Sequence, residues 1–389
     1  MTKKQVLEQH IALFGESGSG KTVMLSSFFG DAQEPKTIKR TGLNVIAENP
    51  SQGTLLSQAF LGMKRSATPP LPTRFTSTAY SFKITVKNAG AQKAKSSAGF
   101  DALRLVWHDY PGEWFEQEPS GAKESQHRVE TFRALLESDV ALLLVDGQKL
   151  LDHVGEEERY LKSLLTNVRN SLLLLKDEII ADGDLLTAFP RIWLIGLSKS
   201  DLIPALAVQD FRELLLEKVG ADIVELRDTI AGFIDGDDAL SVGEDFVILS
   251  SAKFGEGAID VFQRVGLDLV LPIASVLPFE RHVRWANSLE LPAKVAAELL
   301  KNAKFVAAVL GLVGKFAAFL IGKKFKMAGG IVYWLADVSP EAIEKAAVKA
   351  ETFKETVAEK GKSISSVLLS FNEDLERAER EGVLSRSRQ

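Results

Sequence analysis

The stretch LFGESGSGKTVM, residues 13–24, constrains this chain more than any other. An apolar run, HIALFG, enters it and KTVMLSSFFG leaves it with helical spacing, so a strand, a tight turn and a helix must follow one another. Gly15, Glu16, Ser17, Gly18, Ser19, Gly20, Lys21 and Thr22 form the turn. Its glycines let successive backbone N–H groups converge on one anion, and the helix N-terminus adds partial positive charge. This is a phosphate cradle, in which Lys21 is placed to reach the β- and γ-phosphates and Thr22 to put its hydroxyl on Mg²⁺.

The rest of the chain agrees with a strand–helix alternation. Helical segments near 122–137, 155–180 and 206–233 separate apolar strands at 140–145, 191–197 and 245–250. AYSFKITVKN reads as a further strand, pairing through the polar loop AGAQKAKSSAG with LRLVW. The predicted fold class is α/β: a mainly parallel sheet wrapped by helices, with a ligand at the carboxyl ends of its strands, followed by an all-helical carboxyl-terminal domain. The predicted division is 1–278 for the first unit and 279–389 for the second.

Composition excludes several chemistries. With no cysteine there is neither a disulfide nor a thiolate metal site, and the five histidines lack ligand spacing. A net charge of -5 leaves no general cationic face, so no nucleic-acid partner is expected. The amino-terminal MTKKQVLEQHIALFG lacks the apolar core of a signal peptide, which predicts a cytoplasmic protein.

Base choice must be written elsewhere. PRIWLIGLSKSDLIP is an apolar strand running into Ser198, Lys199, Ser200 and Asp201. A carboxylate at Asp201 can accept guanine N1–H and N2–H₂ together, a pair adenine cannot supply, while the Lys199 stem covers the base. EDFVILSSAKFGEG ends a second strand in Ser251, Ala252 and Lys253, where a backbone N–H at Ala252 can meet guanine O6. Between cradle and base, LRLVW delivers Asp109, and Asp109, Tyr110, Pro111 and Gly112 read DxxG. Asp146 competes with Asp109 as the metal-binding aspartate, and a second DxxG, Asp152 to Gly155, lies beyond its strand.

In this order the elements resemble a P-loop GTPase of the translation-factor and Ras-related class over roughly residues 8–275. Ser198 departs from the usual Asn or Thr of the [NT]KxD element; its hydroxyl is expected to tie that loop back to the cradle with a shorter reach. The string DYPGEW is similar to the bacterial YcjX-like family and to double-GTPase-type proteins of bacterial conflict systems. The resemblance implies that Asp109 bonds Mg²⁺ through water, that the Gly112 N–H touches the γ-phosphate, and that release of this contact on hydrolysis frees the following segment. Glu113 occupies the position of the water-orienting glutamine; the alternative is a glutamate facing solvent or a helix N-terminus. His108 is expected to pack beneath the site.

The threonine that closes over Mg²⁺ in such proteins falls in PPLPTRFTST, with Thr73 the first candidate, then Thr76 and Thr78. Residues 32–70 form an insertion whose middle, NPSQGTLLSQAFLGMKR, has helical spacing opened by Asn-Pro. Arg40, Arg65 and Arg74 are candidates for an arginine finger in cis, set against the reading of solvated arginines or a finger from a partner.

Residues 303–336 are apolar around most of a helix, with Lys304, Lys315 and Lys326 spaced by eleven on one stripe beside Gly311 and Gly322. Three readings stay open: a helix buried in its domain or an oligomer, an in-plane membrane helix, or a membrane span, which Lys315 at mid-bilayer disfavours. The tail reads as a charged amphipathic pair of helices. The expectation is therefore a GTP-binding protein that hydrolyses GTP with Mg²⁺ and drives a helical region, 303–389, towards a protein effector or the inner face of a membrane. An ATPase and a nucleotide-binding scaffold without turnover are the alternatives, and a homo-oligomer joined through the nucleotide face is compatible with the motifs.

Overall fold

The computed structural model describes residues 6–70, 78–87, 102–115, 121–180, 183–299 and 364–387. Five strands are parallel neighbours: β1 (Val6–Phe14), β4 (Ala102–Asp109), β5 (Val140–Asp146), β6 (Ile192–Ser198) and β7 (Ser241–Ile248). Antiparallel strands extend both edges. On one side β3 (Thr78–Val86) pairs with β4 and carries β2 (Leu43–Ala47); on the other, β10 (Leu384–Ser385) pairs with β7. The sheet order is β10-β7-β6-β5-β1-β4-β3-β2, and a separate hairpin joins β8 (Lys253–Gly255) to β9 (Ala258–Asp260). This is the α/β architecture expected of a phosphate-binding-loop protein.

Burial on both faces explains the uninterrupted apolar strands. Along β5, Val140, Leu142 and Leu144 face one core cluster while Ala141, Leu143 and Val145 face the other. The first cluster lies under α1 (Lys21–Ala32), α9 (Val270–Ser275), α10 (Leu277–Ser288) and α11 (Ile364–Arg380). The second lies under α4 (Ala122–Leu136), α5 (Gly147–Asp152), α6 (Glu157–Leu174), α7 (Lys176–Ile179) and α8 (Val208–Ala231). Each crossover returns the chain so that β1, β4, β5, β6 and β7 all present carboxyl ends at one edge.

The insertion is two helices and a strand: α2 (Pro35–Thr41), β2 and α3 (Pro50–Ser66). Asn49 caps α3 by accepting from Ser51 N at 3.0 Å and Gln52 N at 3.4 Å, with Pro50 at the first helical position. Leu56 and Phe60 face inward from α3, which packs on α1. Strand β7 begins at Ser241, earlier than the sequence suggests, and the 155–180 segment divides into α6 and α7.

The tail does not stay helical to its end. α11 buries Ile364, Leu368, Phe371, Leu375 and Ala378 along one stripe, then Gly382 turns the chain at φ 70° into β10. Residues 293–299 are helical, and Val295 and Leu299 join the core cluster that holds α11. The described part of the region beyond residue 278 thus lies against the same sheet. Among the described residues no helix is long and apolar enough to cross a membrane. The lysine-striped stretch 303–336 lies outside the described residues.

Candidate nucleotide-binding site

The loop between β1 and α1 wraps around its own lysine. Lys21 Nζ donates to Gly15 O at 2.6 Å and Glu16 O at 3.0 Å, and lies 5.0 Å from the centre of the Tyr110 ring. Gly18 and Gly20 hold φ of 81° and 91°, backbone that only glycine adopts without strain, and Gly20 caps α1. Tyr110 supports the loop from below: its hydroxyl accepts from Gly15 N at 2.7 Å. Burial pushes that phenol well above its usual pKa, which keeps it a neutral hydrogen-bonding group.

DxxG meets the cradle directly. Thr22 Oγ1 lies 3.4 Å from Asp109 Oδ2, and a Cβ on Gly112 would fall 2.2 Å from Ser17 N, so only glycine fits there. Glu113 follows in a short 3₁₀ turn, its Oε1 accepting from Ser17 Oγ at 3.1 Å. His108 points elsewhere: its Nε2 is 3.2 Å from His10 Nδ1, the rings stack, and burial pulls its pKa down to about 4.

At the other end of the cleft, Lys199 Nζ donates to Asp146 Oδ2 at 2.7 Å. Asp146 also accepts from Gln148 N at 2.9 Å, capping α5. It is therefore occupied with the Lys199 loop, which leaves Asp109 as the carboxylate beside Thr22. Ser250 Oγ stands 2.7 Å from Asp201 Oδ1 and 2.9 Å from Ala252 O, joining the Ser198–Asp201 loop to the Ser251–Lys253 loop. Ser250 escaped the sequence reading, although the doubled serine in SSAK was its signal. The expectation for Ser198 is corrected: its hydroxyl donates to Val145 O at 3.2 Å, tying the loop to β5 rather than to the cradle. Ser198 ends a strand alongside β5, which brings that carbonyl within its reach.

One cleft of about 360 Å³ joins these parts, lined by Gly18, Ser19 and Gly20 on one side and by Ser198, Lys199, Asp201, Ser251 and Ala252 on the other. Val23, Met24, Pro69, Leu202, Leu249 and Phe254 form its apolar wall, and Gln148 adds an amide. A second recess of about 130 Å³ runs from Ser17 to Val23 past Tyr110 and Gly112. Lys253 is exposed in the β8–β9 hairpin.

Other candidates lie apart. Thr78 opens β3 in register with Asp109, while Thr73, Thr76 and Arg74 lie outside the described residues. Arg40 pairs with Asp268 at 3.2 Å, Arg65 is exposed at the end of α3, and Asp152 is exposed and bonded to Gln148. For a magnesium ion, the hydroxyl of Thr22 beside the buried Asp109 carboxylate offers the hard oxygen donors that this ion takes together with phosphate.

No protein-family model and no curated protein matches the chain. Among solved structures it is similar to the Ski7 GTPase-like domain of S. cerevisiae bound to GTP, at 14% identity over 63% of this chain and 43% of that one, TM-score 0.30. It is also similar to the signal recognition particle receptor SRb-GTP/SRX complex from Chaetomium thermophilum, at 19% identity over 66% and 94%, TM-score 0.31. A third is the cytosolic domain of the T. maritima FeoB iron transporter in GMPPNP form, at 11% identity over 88% and 99%, TM-score 0.28. The chain spans less than half of the Ski7 chain it matches. At these identities and TM-scores the likeness assigns neither ligand nor activity.

Proposed function

We propose that the chain binds GTP and GDP and hydrolyses GTP to GDP and phosphate. The supporting observation is the single cleft that has phosphate-cradle residues at one end and a guanine-reading set, Lys199, Asp201, Ser251 and Ala252, at the other. Asp201, oriented by Ser250, takes the two guanine N–H donors; Lys199, held by Asp146, covers the base; the Ala252 N–H meets O6. Gly15, Glu16, Ser17, Gly18, Ser19 and Gly20 present the loop, and Lys21 balances charge on the β- and γ-phosphates.

In hydrolysis, a water oxygen bonds to the γ-phosphorus while the bond to the β–γ bridging oxygen breaks, and GDP keeps that oxygen. Glu113, beside Ser17 at the phosphate end, orients the water and accepts its proton. Mg²⁺ held by Thr22 and Asp109, with a switch threonine such as Thr73, would neutralise charge on the phosphate oxygens. Gly112, pressed on the Glu16–Ser17 backbone, moves when a γ-phosphate enters, and the segment after it carries that movement to an effector or a membrane surface through 303–389. The bond between Ser17 and Glu113 favours a second reading, a scaffold that holds nucleotide without turnover, because it engages the group needed for the water.

Equilibrium titration with fluorescent GDP and ADP in Mg²⁺ tests the first step, and phosphate release from GTP the second. Guanine preference with slow turnover is expected. Preference for ADP overturns the assignment, and guanine binding with no phosphate release selects the scaffold.

A further inference from the structure

Glu16 places an acid inside a loop built to hold anions. Its side chain is 8% exposed, yet its backbone carbonyl is part of the cradle, accepting Lys21 Nζ at 3.0 Å and Ser19 N at 3.2 Å. What balances the carboxylate is remote in sequence: Lys149 Nζ, on α5, lies 2.8 Å from Glu16 Oε2. The same short helix is capped by Asp146, whose other oxygen holds Lys199 of the base loop. One helix therefore reaches the phosphate end through a cation and the base end through an anion.

We infer that Lys149 is a positioning residue for polyphosphate binding, acting through Glu16. It cancels the carboxylate within the cradle and tethers the loop to α5, so that the phosphate chain meets Lys21 and the loop N–H groups without an opposing charge. The inference rests on the nucleotide reading above but not on the choice of base. Because charge repulsion scales with the product of the two charges, removing Lys149 penalises each added phosphate. A loop that had merely lost its shape would weaken all nucleotides alike.

The test is a binding series of GMP, GDP and a non-hydrolysable GTP analogue, with the adenine series in parallel, on the full chain and on Lys149→Ala, Lys149→Arg, Glu16→Gln and the Glu16→Gln/Lys149→Ala double variant. Removing the cation leaves the buried Glu16 carboxylate facing the phosphates, so Lys149→Ala should weaken the triphosphate about 30-fold and the diphosphate about 10-fold, with the smallest loss for the monophosphate. Lys149→Arg should keep most of the affinity, and the double variant should return to within about 3-fold of the parent. An equal loss across the series, or a double variant as weak as Lys149→Ala alone, overturns the inference. If the same pattern appears with adenine nucleotides only, the guanine assignment fails and the role of Lys149 stands. A parent protein that binds neither series overturns both.

Discussion

Two carboxylates of the central sheet are paired with cations, and the pairs differ in how completely they are closed. Asp245 on β7 is fully buried: Arg281 Nη2 lies 2.8 and 2.9 Å from its two oxygens, and Ser387 N donates at 2.8 Å. Asp146 at the end of β5 is equally buried, but its partner Lys199 is 31% exposed and lines the cleft. The closed pair fastens the chain's carboxyl end to the sheet edge, next to β10. The open pair holds a loop while leaving one side of it open to the cleft. Similar chemistry thus serves assembly where both partners are buried, and on the proposed reading serves recognition where the cation still meets solvent.

The largest effect should come from breaking the closed pair. Arg281→Ala strands a buried carboxylate and should cost about 3–5 kcal/mol in chemical denaturation. Nucleotide affinity, measured where the variant remains folded, should be unchanged; a loss of affinity without a loss of stability would reverse the contrast. Lys21→Ala should do the opposite, weakening GDP by about 100-fold, or roughly 2.7 kcal/mol, with little change in the melting temperature of the nucleotide-free protein.

A pH profile of stability sharpens the same distinction. Burial pulls His108 down to about 4 and His282 to about 3, both from an ordinary 6.5. Between those limits the unfolded chain binds more protons, so stability rises as pH rises towards 6.5. Asp139, pushed up by burial to about 6, opposes this between about 4 and 6, because there the folded state binds the extra proton. Asp245, Glu280 and Asp374, also raised by burial, act in the same direction as Asp139, so the contribution of one histidine is read by difference: His282→Leu should lower the slope of stability against pH by about 1–2 kcal/mol between pH 4.5 and 6.5, read from denaturant midpoints. An unchanged slope would remove His282 from the account. The smallest effect is expected for Lys199→Ala: about 1 kcal/mol or less in stability, since its ammonium is partly solvated, with GDP binding about 10-fold weaker by titration.

How much of this was legible in the sequence depended on range. The glycine loop, the continuous apolar strands β5 and β6, and the Asn49–Pro50 start of α3 are local signals, and the structure repeats them. Strand β2 is five residues at a sheet edge and lacks the alternation that would announce it. β7 starts in SVGED, whose acidic residues read as loop until Arg281, far along the chain, is seen to bury Asp245. β10 is too short for any pattern; its place is set by pairing with β7. In the site, Asp109, Gly112, Lys199 and Asp201 were readable as motif positions, whereas Tyr110 under the loop, Ser250 between the base loops and Lys149 against Glu16 are contacts across the fold. Motif spacing carries the groups that line the cleft; the groups that hold them in place come from other strands and helices.

The measurement that bears most directly on the central claim is nucleotide choice in Asp201→Asn. Guanine and xanthine differ at the position this carboxylate would read, so the variant should lose most of its affinity for GDP and gain affinity for xanthosine diphosphate, with the phosphate end untouched. Unaltered affinity for GDP, with no gain for xanthosine diphosphate, would contradict the assignment of this cleft to guanine.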